Sequence, residues 1–178
     1  MYEAREDKDL AFMLQYENIA WYEDGQVRIL DRRVYPAKTH FVVCNSHVEV
    51  MQAIRDMVTQ SAGPYTAAPM GMALAAWECR NMDGKAQVAY MQDASNCISN
   101  ARPTTRKRMA QLTRSCVEVA TKAIAEGSRA DLAIRDFTVR ANNMRYSKIA
   151  AAAKYLVDTF PKNGTVMTQC FAETIVGM

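Results

Sequence analysis

The chain has 178 residues, of which 49% are hydrophobic and 23% are charged, and its formal net charge at pH 7 is +3. These are ordinary values for a globular protein with a substantial core, and they do not indicate a polyanionic partner. No apolar run approaches the roughly 20 residues of a membrane span, and the charged N-terminus MYEAREDKDLAF is not a secretory signal. We therefore expect one domain, or one and a small part of a second, in the cytoplasm.

The sheet-forming part of the chain is predicted at its start. Residues 16–36 should form a β-hairpin, because the turn signal Asp24-Gly25 separates two segments in which apolar and polar residues alternate. Tyr35-Pro36 ends the hairpin, since the residue before a proline avoids helix. Residues 40–44 (HFVVC) predict a third short strand.

Helices are predicted to follow the sheet. Ser46 and Glu49 form a capping-box pattern, which predicts a helix from there to about Thr59. Residues 60–69 (QSAGPYTAAP) predict a loop with Gly63-Pro64 as its strongest breaking signal. Further helices are predicted over 70–82, 86–100 and 103–126, and residues 131–160 predict one or two more.

The end of the chain has a different pattern. After Pro161 and the turn signal Asn163-Gly164, residues 165–170 (TVMTQC) predict a strand, and residues 171–178 have the composition of a helix start. A single strand needs partners for its backbone groups, and the only earlier strands belong to the N-terminal sheet. The sequence therefore predicts an α+β fold, with a β-hairpin and a helical bundle, followed by one strand-to-helix unit.

The cysteines and histidines do not indicate a metal centre. The five cysteines are scattered, odd in number and without a C-x-x-C pair, which favours reduced thiols. His40, Cys44 and His47 are the one cluster of ligand types, but no fourth ligand is evident and a strand would place its ends on opposite faces. We expect no metal and no cofactor; dinucleotide, P-loop, serine-hydrolase and zinc-protease motifs are absent from the sequence.

Two residues are candidates for chemistry. Cys170 follows a predicted strand and precedes a predicted helix, where sites form in open α/β sheets and where a helix N-terminus lowers a thiol pKa. The alternative is a buried, inert thiol. Arg102 precedes Pro103-Thr104, and an arginine at a helix start can bind phosphate together with the backbone amides. The alternative is a surface arginine in a loop.

Basic residues are concentrated between Ala101 and Ser115, where no acid occurs. The five are Arg102, Arg106, Lys107, Arg108 and Arg114. They can form a solvated helix face, bind a phosphorylated small molecule or bind nucleic acid. We regard nucleic acid as the weakest of the three, because no aromatic residues are interleaved with the basic ones.

The order of these motifs resembles the S-methyl-5-thioribose-1-phosphate isomerases. That family begins with a tryptophan, an Asp/Gly turn, a Leu-Asp pair and a Leu-Pro pair. The corresponding positions here are Trp21, Asp24-Gly25, Leu30-Asp31 and Tyr35-Pro36. The wider family includes ribose-1,5-bisphosphate isomerases and the regulatory subunits of translation initiation factor 2B.

The resemblance continues through the rest of the chain. Residues 53–77 are similar to the family's Met-Val-Arg-Gly-Ala-Pro-Ala-Ile-Gly loop and the alanine-rich helix after it. Residues 102–104 match an Arg-Pro-Thr motif. Thr168 and Cys170 occupy positions of the family's Leu-Thr-His-Cys-Asn motif. The similarity covers about residues 19–178 and identifies the chain as a member of this superfamily.

The resemblance implies an isomerase of methionine salvage that interconverts an aldose 1-phosphate and a ketose 1-phosphate. Cys170 would be the catalytic acid/base and Arg102 an anchor for the phosphate of a pentose-type substrate. The phosphate loop would be formed by Gln60, Ala62, Gly63 and Pro64.

The resemblance also implies that the complete protein contains a further domain. Family members carry a Rossmann-like domain after the cysteine, which supplies a catalytic aspartate, and they form homodimers. We therefore expect residues 1–161 to be the N-terminal domain and residues 162–178 to begin the Rossmann-like domain. The chain would then be a fragment, an isolated domain, or one half of a protein whose remainder is a separate chain.

Several positions depart from the family pattern. Thr59 or Gln60 stands where the family loop has arginine, Lys107 replaces an asparagine, and Gln169 and Phe171 replace the neighbours of Cys170. These changes leave the substrate open. They also favour a second hypothesis, a non-catalytic binding or regulatory module resembling the initiation factor 2B subunits, in which Cys170 only packs.

Overall fold

The computed structural model describes residues 5–169 and 172–178, so Cys170 and Phe171 lie outside the described residues. Residues 20–44 contain a three-stranded antiparallel sheet in the order β1-β2-β3. The strands are β1 Ala20–Glu23, β2 Gln26–Leu30 and β3 Phe41–Cys44. Glu23 pairs with Gln26 across the predicted Asp24-Gly25 turn, so the hairpin and the third strand are confirmed.

The first residues of the predicted hairpin are helical instead. Residues 16–19 form a short helix, because the buried carboxylate of Asp7 accepts a hydrogen bond from the Tyr16 amide at 2.7 Å. The Tyr16 hydroxyl donates to Asn143 at 2.6 Å. These two bonds fix the entry of the chain into the sheet.

Seven helices are present in the part of the chain that the structure describes. They are α1 Tyr16–Ile19, α2 His47–Arg55, α3 Pro64–Glu78, α4 Gly84–Ser99, α5 Arg106–Ala125, α6 Ala130–Val157 and α7 Glu173–Gly177. Helix α3 is the centre of the core, since it packs against α2, α4, α5, α6 and the sheet. None of the helices within 5–169 and 172–178 is long and apolar enough to cross a membrane.

Helix α2 begins as predicted but ends earlier. The Ser46 hydroxyl accepts a hydrogen bond from the Glu49 amide at 3.2 Å, and the Glu49 carboxylate accepts one from the Asn45 amide at 2.6 Å. The helix ends at Arg55 rather than near Thr59, because Met57 adopts a left-handed conformation with φ of 61°.

The prediction of a loop over residues 60–69 is wrong for its second half. Helix α3 begins at Pro64 and contains Pro69. A proline at the first helical position costs little, because its missing amide would have no partner there. The cost of Pro69 is offset by burial, since all residues from Ala67 to Ala76 are buried. Gly71 makes this packing possible: a Cβ there would lie 2.7 Å from Val50 Cγ1.

The C-terminal part differs most from its prediction. Residues 165–168 form no strand, although residues 165–170 were predicted to form one. The residues from 165 to 169 are exposed, so no sheet edge covers them, and an extended segment gains no strand hydrogen bonds without such an edge. Helix α7 confirms the predicted helix start, whereas the Rossmann-like continuation stays a prediction.

The hairpin is attached to α6 by a buried carboxylate. Asp131 accepts a hydrogen bond from the Tyr22 hydroxyl at 2.7 Å and bonds from the Arg129 guanidinium at 2.5 and 2.8 Å. Burial acts to raise the pKa of Asp131, but the hydrogen bonds from Arg129 and Tyr22 outweigh it and hold that pKa below its usual value.

We expect Asp131→Asn to lower the free energy of unfolding by about 1–3 kcal/mol at pH 7, because it weakens charged hydrogen bonds of a buried group. A carboxyl whose pKa is depressed by folding stabilises the protein above its unfolded pKa of about 3.9, and this contribution is lost as the pH falls further. Urea unfolding should therefore show the difference between wild type and variant shrinking below about pH 4.

The matched control is Asp136→Asn on the same helix, because the Asp136 side chain is 41% exposed. We expect it to change stability by less than about 0.5 kcal/mol. A cost of Asp131→Asn that is the same at pH 3 and pH 7 would refute the electrostatic role of this carboxylate.

Candidate functional site

A small cavity joins the loop before α3 to the segment after residue 171. Ala62 and Gly63 line one side, and Glu173 and Thr174 line another. Its volume is about 20 Å³, enough for about one water molecule. The remaining walls are Met13, Leu14, Ile19, Leu30, Arg32, Thr59, Arg145 and Tyr146.

The loop before α3 is a tight turn that requires a glycine. The Gly63 amide donates to the Gln60 carbonyl at 2.8 Å, and Ser61 has a left-handed φ of 53°. A Cβ on Gly63 would lie 2.0 Å from the Thr59 hydroxyl oxygen and 2.9 Å from the Gln60 carbonyl oxygen. Position 63 therefore requires glycine because there is no space for a side chain, and not because the backbone conformation is unusual.

Several amides of this loop have no hydrogen-bond acceptor in the part of the chain that the structure describes. Within residues 5–169 and 172–178, the backbone N–H groups of Ser61 and Ala62 donate no hydrogen bond. Neighbouring amides in a turn of this kind can form an anion-binding concavity. The loop thus offers donors without a charged side chain.

Arg32 and Glu173 form an ion pair across the cavity. Their closest N–O distance is 3.7 Å, and the exposed fractions of the two side chains are 16% and 8%. The Arg32 amide also donates to the Val58 carbonyl at 2.8 Å, which ties the end of β2 to the residues before the loop. The pair connects α7 to the N-terminal part of the chain.

Arg145 is a second cation at this cavity and has no acidic partner among the described residues. Its Nε atom is buried without a hydrogen-bond acceptor there, and its guanidinium carbon lies 5.0 Å from the centre of the Tyr146 ring. Burial lowers the pKa of Arg145. The Tyr146 hydroxyl donates to the Leu14 carbonyl at 2.9 Å, and burial raises the pKa of Tyr146 to about 12, so this phenol stays protonated.

The residues predicted from the sequence are only partly brought together. Ala62 and Gly63 line the cavity, whereas Pro64 begins α3 just beside it. The side-chain amide of Gln60 donates a hydrogen bond to the Met57 carbonyl at 3.3 Å. Arg102 is half-buried before the 3-10 turn Pro103–Thr105 and does not line the cavity.

Two arginines that line the cavity, Arg32 and Arg145, were not predicted. Arg145 lies one helical turn after the buried Asn142, so its spacing on α6 was a usable signal for the same helix face. Arg32 had no comparable signal, because its position depends on how the end of β2 meets α7. The predicted catalytic residue, Cys170, lies outside the described residues, three positions before the cavity-lining Glu173 in the sequence.

The histidine and cysteine cluster has other roles. His47 Nδ1 is paired with Glu78 at 2.6 Å, and the His40 carbonyl accepts a hydrogen bond from the Asp31 amide. Cys44 is buried, which raises the pKa of its thiol to about 11 and keeps it protonated at neutral pH. His47 thus forms an ion pair, His40 accepts a backbone hydrogen bond, and Cys44 packs in the core.

Comparison with known proteins finds isomerases among the sequence relatives. No family model matches the sequence. The methylthioribose-1-phosphate isomerase of Roseiflexus castenholzii is 32% identical over 159 residues, which are 85% of this chain and 44% of that protein. The protein of the same name from Thermosipho africanus is 28% identical over 160 residues, 89% of this chain and 45% of the relative.

Solved structures show the same fold at lower identity. The delta subunit of translation initiation factor eIF-2B from A. fulgidus aligns with a TM-score of 0.65 and 18% identity, over 89% of this chain and 46% of that chain. The 5-methylthioribose 1-phosphate isomerase from Pyrococcus horikoshii OT3 aligns with a TM-score of 0.57 and 20% identity, over 82% and 41%.

The match covers most of this chain but only part of each relative. The chain spans less than half the length of the isomerases it matches. Within that span, sequence and fold agree, since the sequence relatives and one structural neighbour carry the same enzyme name. This chain is thus similar in sequence to methylthioribose-1-phosphate isomerases and shares its fold with one of them and with the eIF-2B delta subunit.

Proposed function

We propose that this chain supplies one half of the active site of a sugar-1-phosphate isomerase that converts an aldose phosphate to a ketose phosphate. The observation that carries the proposal is the shared cavity: it is lined by Ala62 and Gly63 of the loop and by Glu173 and Thr174, which follow Cys170 closely in the chain. The names of the sequence relatives support the reaction class.

The proposed roles follow from the chemistry. Opening the sugar ring and moving a proton or hydride between C1 and C2 requires a group that can take up and release a proton. Cys170 is proposed for that role, and general acid/base catalysis is typically worth about 10²–10⁴-fold in rate. Arg102 is proposed to hold the phosphate through paired hydrogen bonds, with the free loop amides of Ser61 and Ala62 as further donors.

The cavity must enlarge before it can hold this substrate. A volume of about 20 Å³ accommodates one water molecule, whereas a phosphopentose is several times larger. We propose that a Rossmann-like unit, in the same or a separate polypeptide, completes the site and displaces α7. The expected assembly is a homodimer in the cytoplasm.

Exposed apolar side chains near the end of the chain support the proposal that further polypeptide covers this surface. Tyr155 is 78% exposed and Met167 is 93% exposed, values that are unusual for large hydrophobic residues. Other exposed members of the same part of the chain are Leu156, Val157, Phe160, Val166 and Val176. On α6, Ala153 is buried, whereas Leu156 and Val157 lie at the surface.

The binding role of Arg102 has a direct test. Arg102→Gln should weaken binding of the aldose 1-phosphate by about 10–100-fold, because it removes charged hydrogen bonds to the phosphate. Calorimetry with the complete protein, including any partner chain, would measure this change. Arg106→Gln, on an exposed neighbour of the same basic segment, should leave binding unchanged. Equal effects of the two substitutions would refute a specific anchor.

A non-catalytic binding module is the second candidate. It is favoured by the TM-score of 0.65 to the eIF-2B delta subunit and by the absence of an arginine from the loop at residues 59–63. A module of this type would bind a phosphorylated sugar without converting it. Turnover, not binding, therefore distinguishes the two candidates.

A further inference from the structure

A second cavity lies between α3, α5 and α6. Its volume is about 70 Å³, and it is open to solvent at one side. Tyr65 and Pro69 of α3, Arg108 and Leu112 of α5, and Asn142 and Arg145 of α6 contribute to its walls. No aspartate or glutamate is among its described lining residues.

Two arginines line this cavity without an ion-pair partner among the described residues. Within the described ranges, no carboxylate lies within 4.0 Å of Arg108 or Arg145. The Arg108 guanidinium carbon lies 4.9 Å from the centre of the Tyr65 ring, which holds it at the rim. Burial lowers the pKa of Arg145, and the nearby charge of Arg108 also lowers it, while the charge of Glu173 acts in the opposite direction. A bound anion would relieve this repulsion.

A buried amide adds a donor to the two cations. Asn142 is only 4% exposed, and its carbonyl oxygen accepts a hydrogen bond from the Thr66 hydroxyl at 3.3 Å. Its Nδ2 group has no acceptor among the described residues, and neither has Nε of Arg145. An unsatisfied buried donor costs about 1–3 kcal/mol, so both groups favour a ligand that accepts hydrogen bonds.

We propose that this cavity binds a phosphate ion or a similar tetrahedral oxyanion. Arg145 Nε and Asn142 Nδ2 would donate from the buried side, and Arg108 would close the site from the rim. The volume is more than three times that of the first cavity, which leaves room for one compact oxyanion. The apolar side chains of Pro69 and Leu112 restrict the space for further solvent.

This site is separate from the proposed catalytic one. None of residues 59–63 lines it, and neither does Arg102. Arg145 lines both cavities, so a substitution of Arg145 could not tell which of the two binds the anion. Arg108 lines only the second cavity and is itself exposed, so its substitution should leave the fold intact.

Nuclear magnetic resonance of the ¹⁵N-labelled full chain tests the proposal. Inorganic phosphate should shift the side-chain amide signals of Asn142 in a saturable manner at constant ionic strength, with chloride as the inert salt. Arg108→Gln should weaken this apparent affinity by at least about tenfold, the value of one charged hydrogen bond. Arg114→Gln, an exposed arginine on the same helix, should leave it unchanged.

Arg102→Gln separates this proposal from the proposed function. The Asn142 response should persist in that variant even if sugar phosphate binding is lost. Three results would overturn the proposal: Asn142 signals that do not shift, a response that survives Arg108→Gln, or a response that disappears in Arg102→Gln. Far-ultraviolet circular dichroism would confirm that each variant is folded.

Discussion

Cys170→Ser is expected to lower kcat/KM for the aldose 1-phosphate by about 10²–10⁴-fold in the complete protein. A thiol with an ordinary pKa of about 8.5 can exchange a proton near neutral pH. A serine hydroxyl has nearly the same size but does not ionise in this range. The loss should appear in kcat, while KM should change little, because the phosphate contacts assigned to Arg102 and the loop remain. A coupled assay of ketose formation would measure both constants.

Cys97→Ser is the matched control for this substitution. Cys97 is a half-buried thiol on α4, outside both cavities, and burial raises its pKa. We expect its replacement to leave kcat/KM within about twofold of wild type. Equal rates for Cys170→Ser and wild type would remove Cys170 from the mechanism, whatever the substrate.

Gly63→Ala is expected to distort the loop that borders the candidate site. The new methyl group would lie 2.0 Å from the Thr59 hydroxyl oxygen and 2.9 Å from the Gln60 carbonyl oxygen. Relieving these clashes requires the loop to move, at a cost of about 1–3 kcal/mol in the free energy of unfolding. A displacement near 1 Å can reduce kcat/KM by about 10²-fold, even where the fold is kept. Steady-state kinetics and urea unfolding would measure the two effects.

Thr59→Ala tests whether a steric clash causes the effect of Gly63→Ala. In a Thr59→Ala background, Gly63→Ala should cost less, because the shorter of the two contacts is gone, but the clash with the Gln60 carbonyl should persist. Gly84→Ala is the control, since its nearest foreign atom would be 3.3 Å away. Additive costs of the substitutions at positions 59 and 63 would refute the steric explanation.

Local signals predicted much of the fold. The Asp24-Gly25 turn and the capping box at Ser46 act through neighbouring residues, so they could be recognised without tertiary information. Pro69 could not be placed correctly, because its helix is maintained by burial on all sides. The predicted strand at residues 165–170 failed in its described part for the opposite reason: its local propensity was adequate, but no neighbouring strand was available.

The candidate site was harder to predict than the fold. Ala62 and Gly63 were found through the order of motifs, and the cavity includes both. Arg32 and Arg145 were missed, since they come from a strand end and from the middle of a long helix and meet only in the folded chain. The positions of Arg102 and Gln60, away from this cavity, show that adjacency to a motif does not fix where a side chain points.

The most direct test of the proposed isomerase is product formation by the complete protein, including any partner chain. Ribose, deoxyribose and methylthioribose 1-phosphates would each be supplied, and the products would be followed by ¹³C nuclear magnetic resonance. We predict that ribose or methylthioribose 1-phosphate is converted to its ketose 1-phosphate, whereas 2-deoxyribose 1-phosphate, which has no C2 hydroxyl to become the ketone, is not. Binding of these sugars with no ketose from any of them would contradict the isomerase and leave the binding module.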